Sequence, residues 1–168
     1  MARKEFQPKP ILETLVAHEV DFVLIGGLAG IARGSSYASY DVDIAYGRAR
    51  DNLERLSSAL QALRASLRGA PPGLPFQLDA DTIERGGHFT FDTPYGALDI
   101  LSDPDGAPPY DKLAAGAGEP AEVEGVLIRV ASLDHLIAMK EAAGRPHDKD
   151  MAAEYRLIAD ELRAPRDA

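Results

Sequence analysis

The six residues Asp41-Val42-Asp43-Ile44-Ala45-Tyr46 set acidic and apolar side chains in turn along the chain. A period of two is a strand with unlike faces: Asp41 and Asp43 leave one side, Val42 and Ile44 the other. The run Ala97-Leu98-Asp99-Ile100-Leu101 repeats the device, with Leu98 and Ile100 on the buried side and Asp99 on the other. Such strands belong to a sheet that buries one face against helices and carries carboxylates on the other.

The rest of the chain supplies those helices. Pro8 and Pro10 precede an amphipathic stretch over 11–19, which leads into a short apolar strand over 21–25 stopped by Gly26-Gly27. A short helix follows over 28–33, then a small polar loop over 35–40. The stripe of Leu53, Leu56, Leu60, Leu63 and Leu67 predicts one long helix over 49–67. Strands are expected over 76–78, 88–91 and 97–101, the last two joined at Thr93-Pro94-Tyr95-Gly96. A surface loop over 102–122, a final strand over 126–130 and helices over 133–143 and 147–163 complete the reading. The expected fold is α/β, of the α+β type: a small mixed sheet flanked by helices. Residues 1–168 form a single domain, with a core over 1–130 and a two-helix C-terminal cap over 131–163.

Composition narrows the chemistry. The chain of 168 residues has no cysteine, which excludes disulfides, thiolate zinc sites and a cysteine nucleophile. Its 18 basic against 27 acidic residues give a net charge of −9, which argues against gripping nucleic acid on a broad basic face. The polar first ten residues do not read as a signal peptide, and no apolar run approaches the roughly 20 residues that span a bilayer. The expected location is the cytoplasm, away from membranes.

If the two acidic strands are neighbours, Asp41, Asp43 and Asp99 meet at one spot. Three adjacent anions repel one another, and a cation is the usual offset. Oxygen-only ligands point to Mg²⁺ or Mn²⁺ with positions left open for phosphate. Gly26-Gly27, between a strand and a helix, presents backbone N–H groups suited to phosphate oxygens, but the spacing matches neither a Rossmann nor a Walker loop. Lys140 is the other oddity. At about 100° per residue it falls between Leu136 and Ile137 on an apolar stripe, where a lysine either snorkels outward or meets an anion such as triphosphate. Asp148 is placed as the partner of Lys140 or Arg145, and Asp150 as solvated. His18, His88 and His135 build no metal site or triad by their spacing, and Ser35, Ser36 and Ser39 have no histidine nearby in sequence.

Taken together, Ile25-Gly26-Gly27-Leu28-Ala29, Gly34 and Ser39-Tyr40-Asp41-Val42-Asp43-Ile44 resemble the first motif of the polymerase-β-like nucleotidyltransferase superfamily. Asp99 in Tyr95-Gly96-Ala97-Leu98-Asp99-Ile100 resembles its third carboxylate. The segment from Leu133 to Asp148 is similar to the tail of the toxin-type branch, the AbiEii-like and MNT-type nucleotidyltransferases. The resemblance implies that Asp41 and Asp43 bind the metals that hold a nucleoside triphosphate, in a two-metal mechanism with Asp99 as a further metal ligand. It implies that Asp99 activates the attacking hydroxyl and that Gly26 and Gly27 cradle phosphates. Ser39 stands where the family has serine or threonine. Tyr37 and His147 depart from an arginine and a lysine of the family, and Arg33 is the expected substitute for the missing phosphate contact, beside Lys140 and Asp148. The implied activity is transfer of a nucleotidyl group, with ATP among the candidate donors, to an RNA or tRNA end, a protein or a small molecule such as an antibiotic. A toxin role with a cognate antitoxin is compatible with that activity. The rival reading is an inactive regulatory or binding module of the same fold.

Overall fold

The computed structural model describes residues 5–71, 73 and 76–165. Helix α1 (Pro8–Ala17) opens on its prolines and buries Ile11, Leu12 and Leu15. Strand β1 (Phe22–Ile25) is buried on both faces and runs into the short helix α2 (Gly26–Ala32). Strand β2 (Asp41–Tyr46) has the expected bounds, and helix α3 (Arg50–Ala62) follows it. Next come β3 (Ser66–Leu67), α4 (Ala80–Gly86), β4 (His88–Thr93) and β5 (Gly96–Leu101). The C-terminal third holds α5 (Tyr110–Gly116), β6 (Ala121–Val123), β7 (Val126–Ile128), α6 (Leu133–Ala143) and α7 (Pro146–Arg163).

Five strands form one mixed sheet in the order β1-β2-β5-β4-β3, in which β2 and β5 are parallel and the other neighbours antiparallel. The architecture is therefore the expected α/β arrangement of a small mixed sheet flanked by helices. Val42, Ile44, Leu98, Ile100 and Phe91 are fully buried in one core with Leu12, Leu15, Leu53, Leu56 and Leu60. Fully burying side chains of this size stabilises by about 1.5–3 kcal/mol each, so the apolar half of the alternation fixes which sheet face turns inward. Buried Asn52 closes the β1–β2 end of the sheet: it accepts from the Asp21 N–H at 2.7 Å and donates to the carbonyls of Asp21 and Gly47 at 3.0 and 2.8 Å. Among the described residues no helix is long and apolar enough to cross a membrane.

Four local expectations are corrected. The helix expected over 49–67 stops at Ala62, because Arg64 takes a left-handed backbone (φ 52°) and Ala65 turns its N–H back to the Leu60 carbonyl. Leu67 keeps leucine spacing but lies in β3, opposite Phe91. Residues 76–78 form no strand; they lead to α4, which Asp79 caps by accepting from the Thr82 N–H at 2.8 Å. The expected loop over 102–122 contains α5, started just after Pro109. The expected strand over 126–130 is β7, which pairs with β6 in a separate hairpin whose turn residues Glu124 and Gly125 both have positive φ, as a tight two-residue turn requires.

Candidate active site

Parallel pairing of β2 with β5 sets Asp43 directly opposite Asp99 and Asp41 opposite Ala97. Carboxylate oxygens of Asp41, Asp43 and Asp99 consequently lie within 4.8 Å of one another, the one cluster of three or more acidic, histidine or cysteine side chains so arranged among the described residues. Burial, then the charges of Asp41 and Asp99, push the Asp43 carboxyl up to about 8. Burial and Asp99 also raise Asp41, against smaller opposing effects of Arg68, Ser39 and Lys140. Protonation relieves such a cluster only in part, whereas a hard divalent cation satisfies all three oxygen donors at once, so the residues fit Mg²⁺ or Mn²⁺.

The glycine pair is shaped to this cluster. Gly26 has φ +72°, and a Cβ there would collide with Asp43 Oδ2. A Cβ on Gly27 would lie 2.9 Å from Ser39 Oγ. Bare backbone thus lets Asp43 and Ser39 pack where side chains at Gly26 and Gly27 would displace them. Ser39 lies beside Asp41, its Oγ 3.4 Å from the Asp41 carbonyl. Glu154 of α7 bonds the hydroxyls of Ser35 and Ser36 and accepts from the Ser36 N–H at 3.1 Å, which anchors the loop that presents Ser39.

Helices α6 and α7 bring cations to the same place. Ser132 caps α6, and Gly144, left-handed at φ 68°, ends it and allows α7 to begin at Pro146. Lys140 Nζ is 3.4 Å from Asp148 Oδ1, and Arg145 Nε donates to Asp148 Oδ2 at 2.6 Å. Asp148 is only 1% exposed, and Arg145 followed by Lys140 holds its carboxyl below the usual range. Asp150 is exposed, as expected. Lys140 lines both clefts that open on the carboxylates. One, of about 1270 Å³, holds Gly27, Ser39, Asp41, Arg68 and His147; the other, of about 380 Å³, holds Gly26, Asp99, His88, Leu101 and Met139. Asp43 borders both.

One expectation changes here, and one residue joins the site. Arg33 does not reach the cluster: its guanidinium donates to the carbonyls of Ala117 (3.1 Å), Val130 (2.6 Å) and Ala131 (3.1 Å), which makes it a tie between α2 and the C-terminal segments. Three carbonyls in reach of a planar fork outcompete exposure to a distant anion. Arg68, by contrast, is a site residue that sequence reasoning missed. It donates to Asp99 Oδ1 at 2.9 Å from a position just beyond β3. Tyr37 and His147 pack edge-to-face with ring centroids 5.4 Å apart.

No family model matches the sequence, and no curated relative matches it significantly. Solved structures do. The antibiotic-resistance factor ANT(2'')-Ia, in complex with adenylyl-2''-tobramycin, aligns with a TM-score of 0.59 at 17% identity over 92% of this chain and 86% of its own. The lincosamide antibiotic adenylyltransferase LnuA, lincomycin-bound, gives 0.57 at 15% identity over 92% and 99%. A protein of Thermotoga maritima provisionally classed as a nucleotidyltransferase gives 0.55 at 16% identity over 89% of each chain. The likeness is one of fold: this chain has the nucleotidyltransferase fold.

Proposed function

We propose that the chain is a metal-dependent nucleotidyltransferase that moves a nucleoside monophosphate from a nucleoside triphosphate to a hydroxyl, residues 1–168 working as one domain. The observation that carries this reading is the convergence of three carboxylates from two parallel strands within 4.8 Å, beside a glycine pair whose lack of side chains lets Asp43 and Ser39 pack directly against the backbone. Mg²⁺ or Mn²⁺ held by Asp41, Asp43 and Asp99 supplies the charge that neutralises them and attracts triphosphate. Gly26 and Gly27 let phosphate oxygens approach the backbone, with Ser39 at their side. Lys140 offers phosphate a cation and Asp148 fixes its direction. Asp99 accepts the proton of the acceptor hydroxyl; the hydroxyl oxygen attacks the α-phosphorus, the bond from that phosphorus to the α–β bridging oxygen breaks, and pyrophosphate leaves. Positioning and charge, with no covalent enzyme intermediate, suffice for such a transfer.

The acceptor is an RNA or tRNA end, a protein hydroxyl or a small molecule. Motif resemblance to the toxin-type branch supports a toxin with a cognate antitoxin. A small antibiotic-like acceptor is favoured by two of the fold neighbours and by the smaller cleft, whose walls include Leu101, Leu136 and Met139 next to Asp99. Transfer from each of four α-labelled nucleoside triphosphates, with Mg²⁺ or Mn²⁺, to total RNA, cell protein and a panel of hydroxyl-bearing antibiotics tests the reading. Label on one class, lost in Asp41→Ala/Asp43→Ala, is the expected result. Absence of label from folded protein would move the chain to the non-catalytic binding modules.

A further inference from the structure

We propose that Arg68 is a positioning residue for Asp99, holding one carboxylate oxygen so that the other is presented to the acceptor hydroxyl; this rests on the nucleotidyltransferase reading above. The guanidinium is fixed on three sides. Its Nη2 donates to Asp99 Oδ1 at 2.9 Å and to the Phe91 carbonyl at 3.1 Å, and its Nε donates to Asp92 Oδ1 at 3.3 Å. The Arg68 backbone N–H also donates to the Thr90 carbonyl at 3.0 Å. Arg68 is therefore stitched along β4, the strand that pairs Thr90 with Asp99. A planar fork bonded to a backbone carbonyl and to Asp92 keeps its remaining direction fixed, which a flexible ammonium does not.

The contact selects between the two oxygens of Asp99. Oδ1 is taken by the guanidinium, and Oδ2 is left unclaimed by it. Asp99 is 18% exposed on its side chain and lines the smaller cleft. Arg68 also lines the larger cleft together with Asp41 and Asp43, and its charge opposes the repulsion there. Its removal makes the cluster more negative while loosening Asp99. Metal affinity and the rate of transfer should consequently move in opposite directions. Loss of a merely structural residue would weaken both, and loss of a phosphate contact would raise the nucleotide KM.

The test compares wild type with Arg68→Gln, Arg68→Lys and Asp92→Asn, by steady-state transfer and by Mn²⁺ titration followed by electron paramagnetic resonance. Arg68→Gln is expected to lower kcat roughly 10- to 100-fold, the scale of a misplaced reacting group, with nucleotide KM changed less than about threefold. Its Mn²⁺ Kd should fall roughly threefold to tenfold. Arg68→Lys should keep near-wild-type Mn²⁺ affinity yet recover only part of kcat, and Asp92→Asn should lower kcat less than Arg68→Gln. An unchanged kcat, a raised nucleotide KM at constant kcat, or weaker Mn²⁺ binding in Arg68→Gln overturns the assignment. If Arg68→Gln is unstable, Arg68→Lys and Asp92→Asn carry the same comparison. Failure of wild type to transfer defeats the functional reading alone. Mn²⁺ affinity then decides: tighter binding in Arg68→Gln upholds the counter-ion role, and unchanged or weaker binding overturns it.

Discussion

Asp43 is the residue at which fold and chemistry conflict most. It must ionise to hold a cation, yet burial and two neighbouring carboxylates push its carboxyl up to about 8, against about 3.9 in an unfolded chain. Without metal, the folded state binds this proton more tightly than the unfolded state. The favourable contribution is therefore complete below about pH 4 and is lost as pH rises towards 8. Thermal unfolding in a chelator should show the melting temperature of wild type falling between pH 5 and 8 relative to Asp43→Asn, which keeps the shape without the charge. At pH 8 the variant should be the more stable by a few degrees, about 1 kcal/mol in a chain of this size. Added Mn²⁺ should raise the wild type and leave the variant nearly unmoved. A variant no more stable than wild type at pH 8 would contradict the cause assigned here. The carboxylates themselves were legible in sequence because strand alternation is local: two residues apart means one face. Arg68 was not, because its partner Asp99 lies 31 residues away and the pairing exists only once β3 joins the sheet. Arg33 misled for the same reason, since its carbonyl acceptors are 84 to 98 residues distant.

At the scale of elements, the hinge from α6 to α7 carries the cations. Asp148 sits in the first turn of an 18-residue helix, where its charge suits the helix end, and it answers both Lys140 and Arg145. Its carboxyl is held below the ordinary range, so its stabilising effect is present above about pH 4 and is lost as pH falls through the lowered value, the reverse of Asp43. Asp148→Asn should cost about 1–3 kcal/mol in urea denaturation at pH 7, converge on wild type in acid, and raise the nucleotide KM because Lys140 loses its guide. Equal stability at pH 7 would show the pair to be idle. Both helices were legible, since Gly144-Arg145-Pro146 is a strong break between two amphipathic runs. Elements whose signal coincided with another pattern were not. Leu67 continues the helical spacing of α3 although the backbone has already turned at Arg64. The Pro, Gly and Ala content of residues 102–122 concealed α5, which buries a single large residue, Leu113.

For the molecule as a whole, the question is what fixes the distance between the sheet that carries the carboxylates and the helices that carry Lys140 and Arg145. One close contact between them is Tyr155 of α7 against Gly30 of α2: a Cβ on Gly30 would meet the ring at 2.8 Å from Cζ and 3.0 Å from Cε1. The Tyr155 side chain is fully buried, its hydroxyl has no hydrogen-bond partner among the described residues, and burial pushes that hydroxyl up to about 12. The ring is thus present for its shape, and its oxygen is a cost. Tyr155→Phe should be neutral or stabilising by about 1 kcal/mol, because it removes an unsatisfied buried group and keeps the ring. Gly30→Ala should destabilise by about 1–3 kcal/mol through overpacking. Because α2 begins with the glycine pair, a displaced α2 should also raise the nucleotide KM. Combining Gly30→Ala with Tyr155→Leu should recover part of both losses, since residues in contact couple in a double-mutant cycle. Strict additivity of the two substitutions, in stability and in KM, would mean that α7 does not set the position of α2 and that the width of the cleft is fixed elsewhere.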